Sequence, residues 1–294
     1  MATFGDNCPL VITPRQLTDL DQSKVSILDA SWHMPNSPRK AREEFLKKHI
    51  PGAQYLDLDE VASEHELGLK HMMPSPEKFA QACEQFGINP TSHVVLYDTH
   101  GVFSSPRALF MFRAFGHNRS SILDGGLPNW EAHGCPVETG EAQQRPRSSY
   151  PVPQFDTDVI RSTEHKHNLD PSKDPAAELV LDARPQGRWA GKDPEPRPGL
   201  PSGHIPHSIS LPFTTTYTAA GERDPITYTE LASPSALHSS LEEARRVVTS
   251  CGSGMTAAVI WLGLKQMGVD RISLYDESWT GYAARQGSKI EKSE

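Results

Sequence analysis

The chain has 294 residues, 36% of them apolar, with 21 glycines and a formal net charge of −8. That size fits one large or two ordinary globular domains with a proper core, and an acidic balance with no basic block argues against a nucleic-acid groove. No stretch approaches the roughly 18 apolar residues of a membrane span, and "MATFGDNCPLVITPRQL" has neither an apolar signal core nor an Arg-rich leader, so the expectation is a cytoplasmic protein, with a mitochondrial location left open.

In chain order the first half presents "VSILDA" (25–30), "HIPGAQYLDLD" (49–59), "HVVLYD" (93–98) and "FRAFGHNRSSILDGG" (112–126). The polar, proline-containing "GEAQQRPRSSYPVPQFD" (140–156) follows, without periodicity, and reads as the linker. The second half presents "LVLDAR" (179–184), "HIPHSISLPF" (204–213), "RVVTSC" (246–251) and "LKQMGVDRISLYDES" (264–278). These are the same four elements in the same order. Gly116 to Asp124 and Gly268 to Asp276 even share a spacing of 8 residues. Matched order with near-equal spacing indicates a duplication. The expected boundaries are a first domain over 1–142, a linker over 143–160 and a second domain over 161–294.

Each half alternates short β-branched runs with helical segments, which predicts an α/β fold with a mainly parallel sheet flanked by helices. "VVLYD" and "SILD" are apolar runs of the kind buried on both faces. "SPRALFMFRAFG" (105–116) and "TAAVIWLGLKQMG" (256–268) read as helices, each stopped by a glycine suited to a left-handed cap.

The four cysteines, Cys8, Cys83, Cys135 and Cys251, are far apart, with no CxxC or paired-histidine pattern. They read as free thiols, with no structural metal site and no bound cofactor. Cys251 differs from the rest in its context. It ends a strand and opens "CGSGMTA", a small-residue loop that leads directly into a helix. The successive amides of Gly252, Ser253, Gly254, Met255 and Thr256 can form an anion-binding concavity, and the helix N-terminus adds to it. Such a setting favours the reactive thiolate. The duplicated position in the first half is Asp98, so that half has no nucleophile, and its helix begins one residue later. A tyrosine-phosphatase loop would need an arginine where this chain has Ala257, so phosphate-ester hydrolysis is not expected.

The duplicated plan, "CGSGMTA" and "DARPQGRWAGKDPEPRPGLPSGHIPHSISLPF" resemble the two-domain rhodanese-type sulfurtransferases, within them the 3-mercaptopyruvate sulfurtransferases, over essentially residues 8–285. The resemblance implies tandem rhodanese-like domains and a Cys251 persulfide. A small-molecule donor would charge that persulfide, and thioredoxin, a small thiol or a protein acceptor would discharge it. Neither nucleic acid nor membrane is implicated. It further implies that Arg188 and Arg197 bind the donor's carboxylate and carbonyl, for which planar guanidinium forks are suited. Ser253, His71 and Asp59 are implied as a relay for the protons that carbon–sulfur cleavage must move, drawing the first half into the site; Asp57 is a rival for Asp59's place. Thiosulfate-preferring members carry basic residues directly after the cysteine, whereas this chain has Gly252 and Ser253. The alternatives are therefore a thiosulfate sulfurtransferase, or a relay protein passing its persulfide to a tRNA- or cofactor-thiolation enzyme.

Two departures from the family pattern stand out. Met255 replaces valine, and "DESW" (276–279) replaces "DGSW", placing Glu277 at a glycine position. Trp130 and Trp279 read as packing residues, His49 and His204 as structural, and Asp182 and Arg184 likewise. The last residues of "TGYAARQGSKIEKSE" are expected to fray.

Overall fold

The computed structural model describes residues 4–162, 178–215 and 246–293. These form two compact units. The first holds the chain up to Ser63 and again from Met73 to Asp156, and the second holds Glu64–Met72 with the described residues from Thr157 to Thr215 and from Arg246 onward.

In the first unit, strands β1 (Val11–Ile12), β2 (Val25–Asp29), β3 (Gln54–Tyr55), β4 (His93–Tyr97) and β5 (Ser120–Leu123) form one sheet in the order β1-β5-β4-β2-β3. Helices α1 (Pro14–Asp19), α2 (Ala41–Lys47), α3 (Pro76–Gln85), α4 (Ser105–Ala114) and α5 (Gly126–Ala132) accompany it. In the second unit β6 (Ile160–Arg161), β7 (Leu179–Asp182), β8 (Ile209–Ser210), β9 (Val247–Ser250) and β10 (Ile272–Tyr275) form a sheet in the order β6-β10-β9-β7-β8. Its described α-helices are α6 (Gln186–Trp189), α7 (Ala257–Gln266) and α8 (Ser278–Ala284). Every strand pairing in both sheets is parallel. The α/β reading holds, and the identical strand order is the duplication expressed as topology.

Register sets the position of the site. Asp29 pairs with Tyr97 in the first unit and Asp182 with Ser250 in the second. Asp98 and Cys251 are therefore the first residues beyond their central strands, at the carboxyl edge where open parallel sheets place their sites. The helices start as the sequence predicts: α4 begins seven residues after Asp98 and α7 six after Cys251. Both turn off at a left-handed glycine, Gly116 with φ +75° and Gly268 with φ +81°. Val94 to Tyr97 are wholly buried, as are Leu181, Val248 and Leu274. Burying each such apolar side chain is worth about 1.5–3 kcal/mol, which is what drives a β-branched run to the middle of a sheet.

The duplicated "HIP" histidines are structural in both units. His49 stacks on Phe45 and its Nδ1 lies 2.8 Å from the Phe45 carbonyl oxygen. His204 stacks on Trp189 with Nδ1 at 2.8 Å from its carbonyl. Each histidine also forms an isolated antiparallel bridge, His49 to Glu138 and His204 to Glu291. That second bridge corrects the expectation of a frayed tail. Tyr282 donates its hydroxyl to the Lys289 carbonyl at 2.7 Å, and Ser293 N donates to Ala190 O at 3.2 Å. The tail is docked because it repeats the segment around Glu138. The polar stretch after 140 is likewise packed: Arg145 Nη1 donates to Ser26 Oγ at 3.1 Å, and Asp156 N to Ala114 O at 3.2 Å.

Candidate active site

From β9 the chain enters Cys251 and curls through Thr256 into α7. Two loop amides, Cys251 N and Gly254 N, both donate to Ser278 Oγ at 3.1 Å. Ser278 donates its own hydroxyl to Tyr275 O at 2.7 Å, so its single donor and both lone pairs are used. Its backbone has φ +49° and the residue is wholly buried. A left-handed serine costs about 1–2 kcal/mol and persists where surrounding bonds over-determine it. The loop's first two carbonyls are held from the other side. Trp279 N donates to Cys251 O at 2.9 Å, while Thr280 N and Oγ1 both donate to Gly252 O, at 2.9 and 2.5 Å.

With those carbonyls committed to α8, the amides of Gly252, Ser253, Met255 and Thr256 donate to no acceptor among the described residues. Uncommitted amides beside the first turn of a ten-residue helix make the loop electropositive. Cys251 forms its floor at 2% exposure, and Gly252 and Thr256 form its partly exposed edge. Met255 is buried beside them. Among the described residues all four cysteines are free, and no cluster of His, Cys, Asp or Glu could hold a metal ion.

The two arginines singled out in the sequence converge on this edge. A Cβ built on Gly252 would lie 3.4 Å from Arg188 Nη2 and 3.5 Å from Arg197 Nη1. Arg188 is carried on α6 and oriented by Glu195, whose Oε2 accepts from Nη2 at 2.5 Å. Glu195 Oε1 also accepts from Arg184 Nη1 at 2.8 Å. Arg184 in turn forks onto Asp182 with Nη2 to Oδ2 at 2.6 Å, and lies over the Trp279 ring at 4.3 Å. Burial works against the Arg184 charge, but Asp182 and Glu195 more than offset it and hold its pKa above the usual arginine value. This buried ionic group ties β7, the 184–197 segment and α8 together beneath the loop.

His71 belongs to the second unit through the 64–72 segment. It is buried, has φ +47°, and its Nε2 shares a 2.8 Å hydrogen bond with Ser253 Oγ. Asp59 lies exposed in the first unit beyond β3, where its Oδ2 accepts from Trp32 Nε1 at 3.4 Å. Its rival Asp57 caps the same turn, accepting from Asp59 N at 2.8 Å. Trp130 and Trp279 are packing residues, with ring nitrogens bonded to Pro136 O and Pro201 O. Sequence reasoning did not single out Ser278 or Glu195 by role. Each lies within a quoted motif, yet its function depends on partners brought close only by folding.

The rhodanese-like domain model matches residues 13–133 and 163–285. A probable 3-mercaptopyruvate sulfurtransferase of Schizosaccharomyces pombe is 38% identical over 89% of this chain and 87% of its own length. The 3-mercaptopyruvate sulfurtransferase of Escherichia coli K12 is 35% identical over 92% of this chain and 94% of its own. Among solved structures, the Tum1 protein from Saccharomyces cerevisiae superposes with a TM-score of 0.82 at 27% identity, covering 97% of this chain and 99% of that one. SseA from Escherichia coli superposes with a TM-score of 0.73 at 30% identity, covering 92% and 99%. With two matched copies of the domain spanning most of its length, and these relatives aligned nearly end to end, the chain belongs to the rhodanese-like family as a tandem two-domain sulfurtransferase.

Proposed function

We propose that this protein is a 3-mercaptopyruvate sulfurtransferase working through Cys251. The Cys251 thiolate attacks the thiol sulfur of 3-mercaptopyruvate, a sulfur–sulfur bond forms, and the carbon–sulfur bond breaks with its electron pair passing to the carbon. The enolate so formed takes up the proton released by the substrate thiol and leaves as pyruvate. A persulfide anion remains on Cys251. A thiol acceptor, thioredoxin or a small thiol, then removes the outer sulfur and returns the thiolate.

The observation that carries the substrate choice is the pair of guanidinium groups within 3.5 Å of the Gly252 Cβ position, directly after the nucleophile. The loop from Cys251 to Thr256 contains no cation, so the site's positive charge sits to one side of the sulfur. That suits a donor whose carboxylate and ketone are separated from its sulfur by a carbon chain. The amides of the loop suit the persulfide anion. The buried His71–Ser253 bond supports these two groups as the route for the proton between sulfur and carbon. Asp59 is proposed as their acidic partner by family resemblance. Names of the relatives point the same way.

The test is kcat/KM measured side by side for 3-mercaptopyruvate and thiosulfate. The expected result is a preference for mercaptopyruvate of about tenfold or more, corresponding to at least ~1.4 kcal/mol of transition-state binding. A preference for thiosulfate overturns the substrate assignment.

A further inference from the structure

Glu277 stands beside Ser278, at the N-cap of the short helix that holds the nucleophile loop, and its carboxylate is buried with 7% of the side chain exposed. Arg285, the C-cap residue of α8, donates through Nη1 to Glu277 Oε2 and to Gly281 O at 2.8 Å. Its other nitrogen, Nη2, reaches Glu66 Oε1 at 3.0 Å. On the opposite side His65 Nε2 lies 3.7 Å from Glu277 Oε1. The tautomer of His65 follows from its neighbour: Leu67 N donates to Nδ1 at 3.2 Å, so Nδ1 is an acceptor and a neutral ring carries its proton on Nε2, toward Glu277. Glu66 is thus tied to the carboxylate–guanidinium pair that flanks α8, and His65 lies alongside it.

A second observation concerns Gly281, which lies one turn along between the partners. Its φ is ordinary, so backbone freedom does not explain a glycine there. A Cβ on it would overlap Glu277 Cβ and Oε2 and come within 3.1 Å of Arg285 Nη1. The missing side chain is the space in which the Glu277–Arg285 pair lies flat on the helix. Three positions, 277, 281 and 285, therefore act as one feature with the spacing of a helix face.

We propose that Glu277 and Arg285 are positioning residues that set His71 against Ser253. The first turn of α8 fixes the Cys251 loop through Ser278, Trp279 and Thr280. The Glu277–Arg285 pair at the two caps of the same helix fixes the 64–72 segment that carries His71. One seven-residue helix registers both ends of the 2.8 Å His71–Ser253 bond. His71 itself has φ +47°, a conformation that needs outside restraint to persist. The functional half of this inference rests on the proposed proton route; the structural half does not.

The experiment uses the full chain with Arg285→Met, and Glu66→Gln as a milder variant at an exposed carboxylate whose folding is not at stake. Hydrogen exchange of the 64–72 segment is expected to accelerate about tenfold in Arg285→Met and about twofold in Glu66→Gln, with β7 unchanged. Unchanged protection of 64–72 in Arg285→Met overturns the clamp. In a double-mutant cycle on 3-mercaptopyruvate turnover, Arg285→Met is expected to lower kcat about tenfold when His71 is present and less than about twofold in a His71→Ala background. An equal loss in both backgrounds shows that Arg285 does not act through His71 and overturns the positioning role. If the parent protein takes no sulfur from 3-mercaptopyruvate, the functional reading fails, and the exchange measurement still decides the clamp.

Discussion

In the first unit the chain leaves β4 into Asp98, and the turn that follows wraps around that residue's own carboxylate. Oδ2 accepts from Phe103 N, Ser104 N, Ser105 N and Ser105 Oγ at 2.7–3.0 Å, and Oδ1 accepts from His100 N at 2.9 Å. In the second unit the chain leaves β9 into Cys251 at the same place in the sheet, yet four amides of its loop take no acceptor among the described residues. A turn from a parallel strand into a helix concentrates N–H groups and favours an anion. The first unit supplies a carboxylate from its own chain. The second supplies the Cys251 sulfur, and on the proposed reading its remaining donors serve a second sulfur. The difference between a scaffold and a site here is whether the nest is filled by its own side chain.

The largest expected effect comes from emptying the filled nest. Asp98→Ala leaves a set of buried donors unsatisfied and is expected to destabilise the first unit by about 3–5 kcal/mol. Cys251→Ala, which removes one small apolar group, should cost about 1 kcal/mol or less. Denaturant unfolding read by hydrogen exchange on β4 and β9 separates the two. Comparable losses at both positions would break the comparison.

A second contrast lies beneath the loops. Asp182 is paired with the Arg184 guanidinium, whereas the duplicated Asp29 has Ser31 at the corresponding position two residues on, a neutral side chain whose residue donates its amide at 2.9 Å. Burial therefore pushes the Asp29 carboxyl up from 3.8 to about 6, against the pull of the Ser31 and Tyr97 hydrogen bonds. The folded state holds that proton more tightly than the unfolded chain does. The associated stability is present below about pH 4 and is lost as pH rises through about 6, a change on the order of 3 kcal/mol. Asp29→Asn should flatten the pH dependence of first-unit stability across that window, measured as unfolding midpoints at pH 4, 5, 6 and 7. A slope identical to that of the parent would contradict the assignment.

Within the second unit, Arg188→Lys keeps the charge but loses the fork and the bond geometry to Glu195. It should lower kcat/KM for 3-mercaptopyruvate about 10- to 100-fold, or about 1.4–2.7 kcal/mol. An unchanged constant would remove Arg188 from the donor site. Gly252→Ala is the smallest change. The added methyl meets both guanidinium groups at ordinary contact distance, 3.4 and 3.5 Å. It should leave folding intact and raise KM severalfold with little effect on kcat; a fall in kcat alone would place the arginines elsewhere in the reaction.

Much of this organisation can be read along the chain because it is written in local patterns. Apolar runs of four or five residues mark β2, β4, β7 and β9, and their repetition reveals two copies of one sheet order. The exchange of Asp98 for Cys251 is visible once the copies are aligned. What escapes a linear reading depends on distant partners. Ser278 gains its role from a left-handed backbone and from amides 24 and 27 positions away. Glu195 looks like one acidic residue among prolines until Arg184 and Arg188 close on it. The 64–72 segment is packed with the second unit although the chain returns to the first at Met73. The docked tail had a counterpart in the first half, around Glu138, but no motif marks it.

The central claim is that Cys251 accepts sulfur while the duplicated position cannot. Intact-protein mass measurement after incubation with 3-mercaptopyruvate, followed by peptide mapping, tests it directly. The prediction is a gain of about 32 Da, one sulfur atom, located on Cys251 and absent from Cys251→Ser. A gain of the same mass on Cys8, Cys83 or Cys135 that persists in Cys251→Ser would contradict the account.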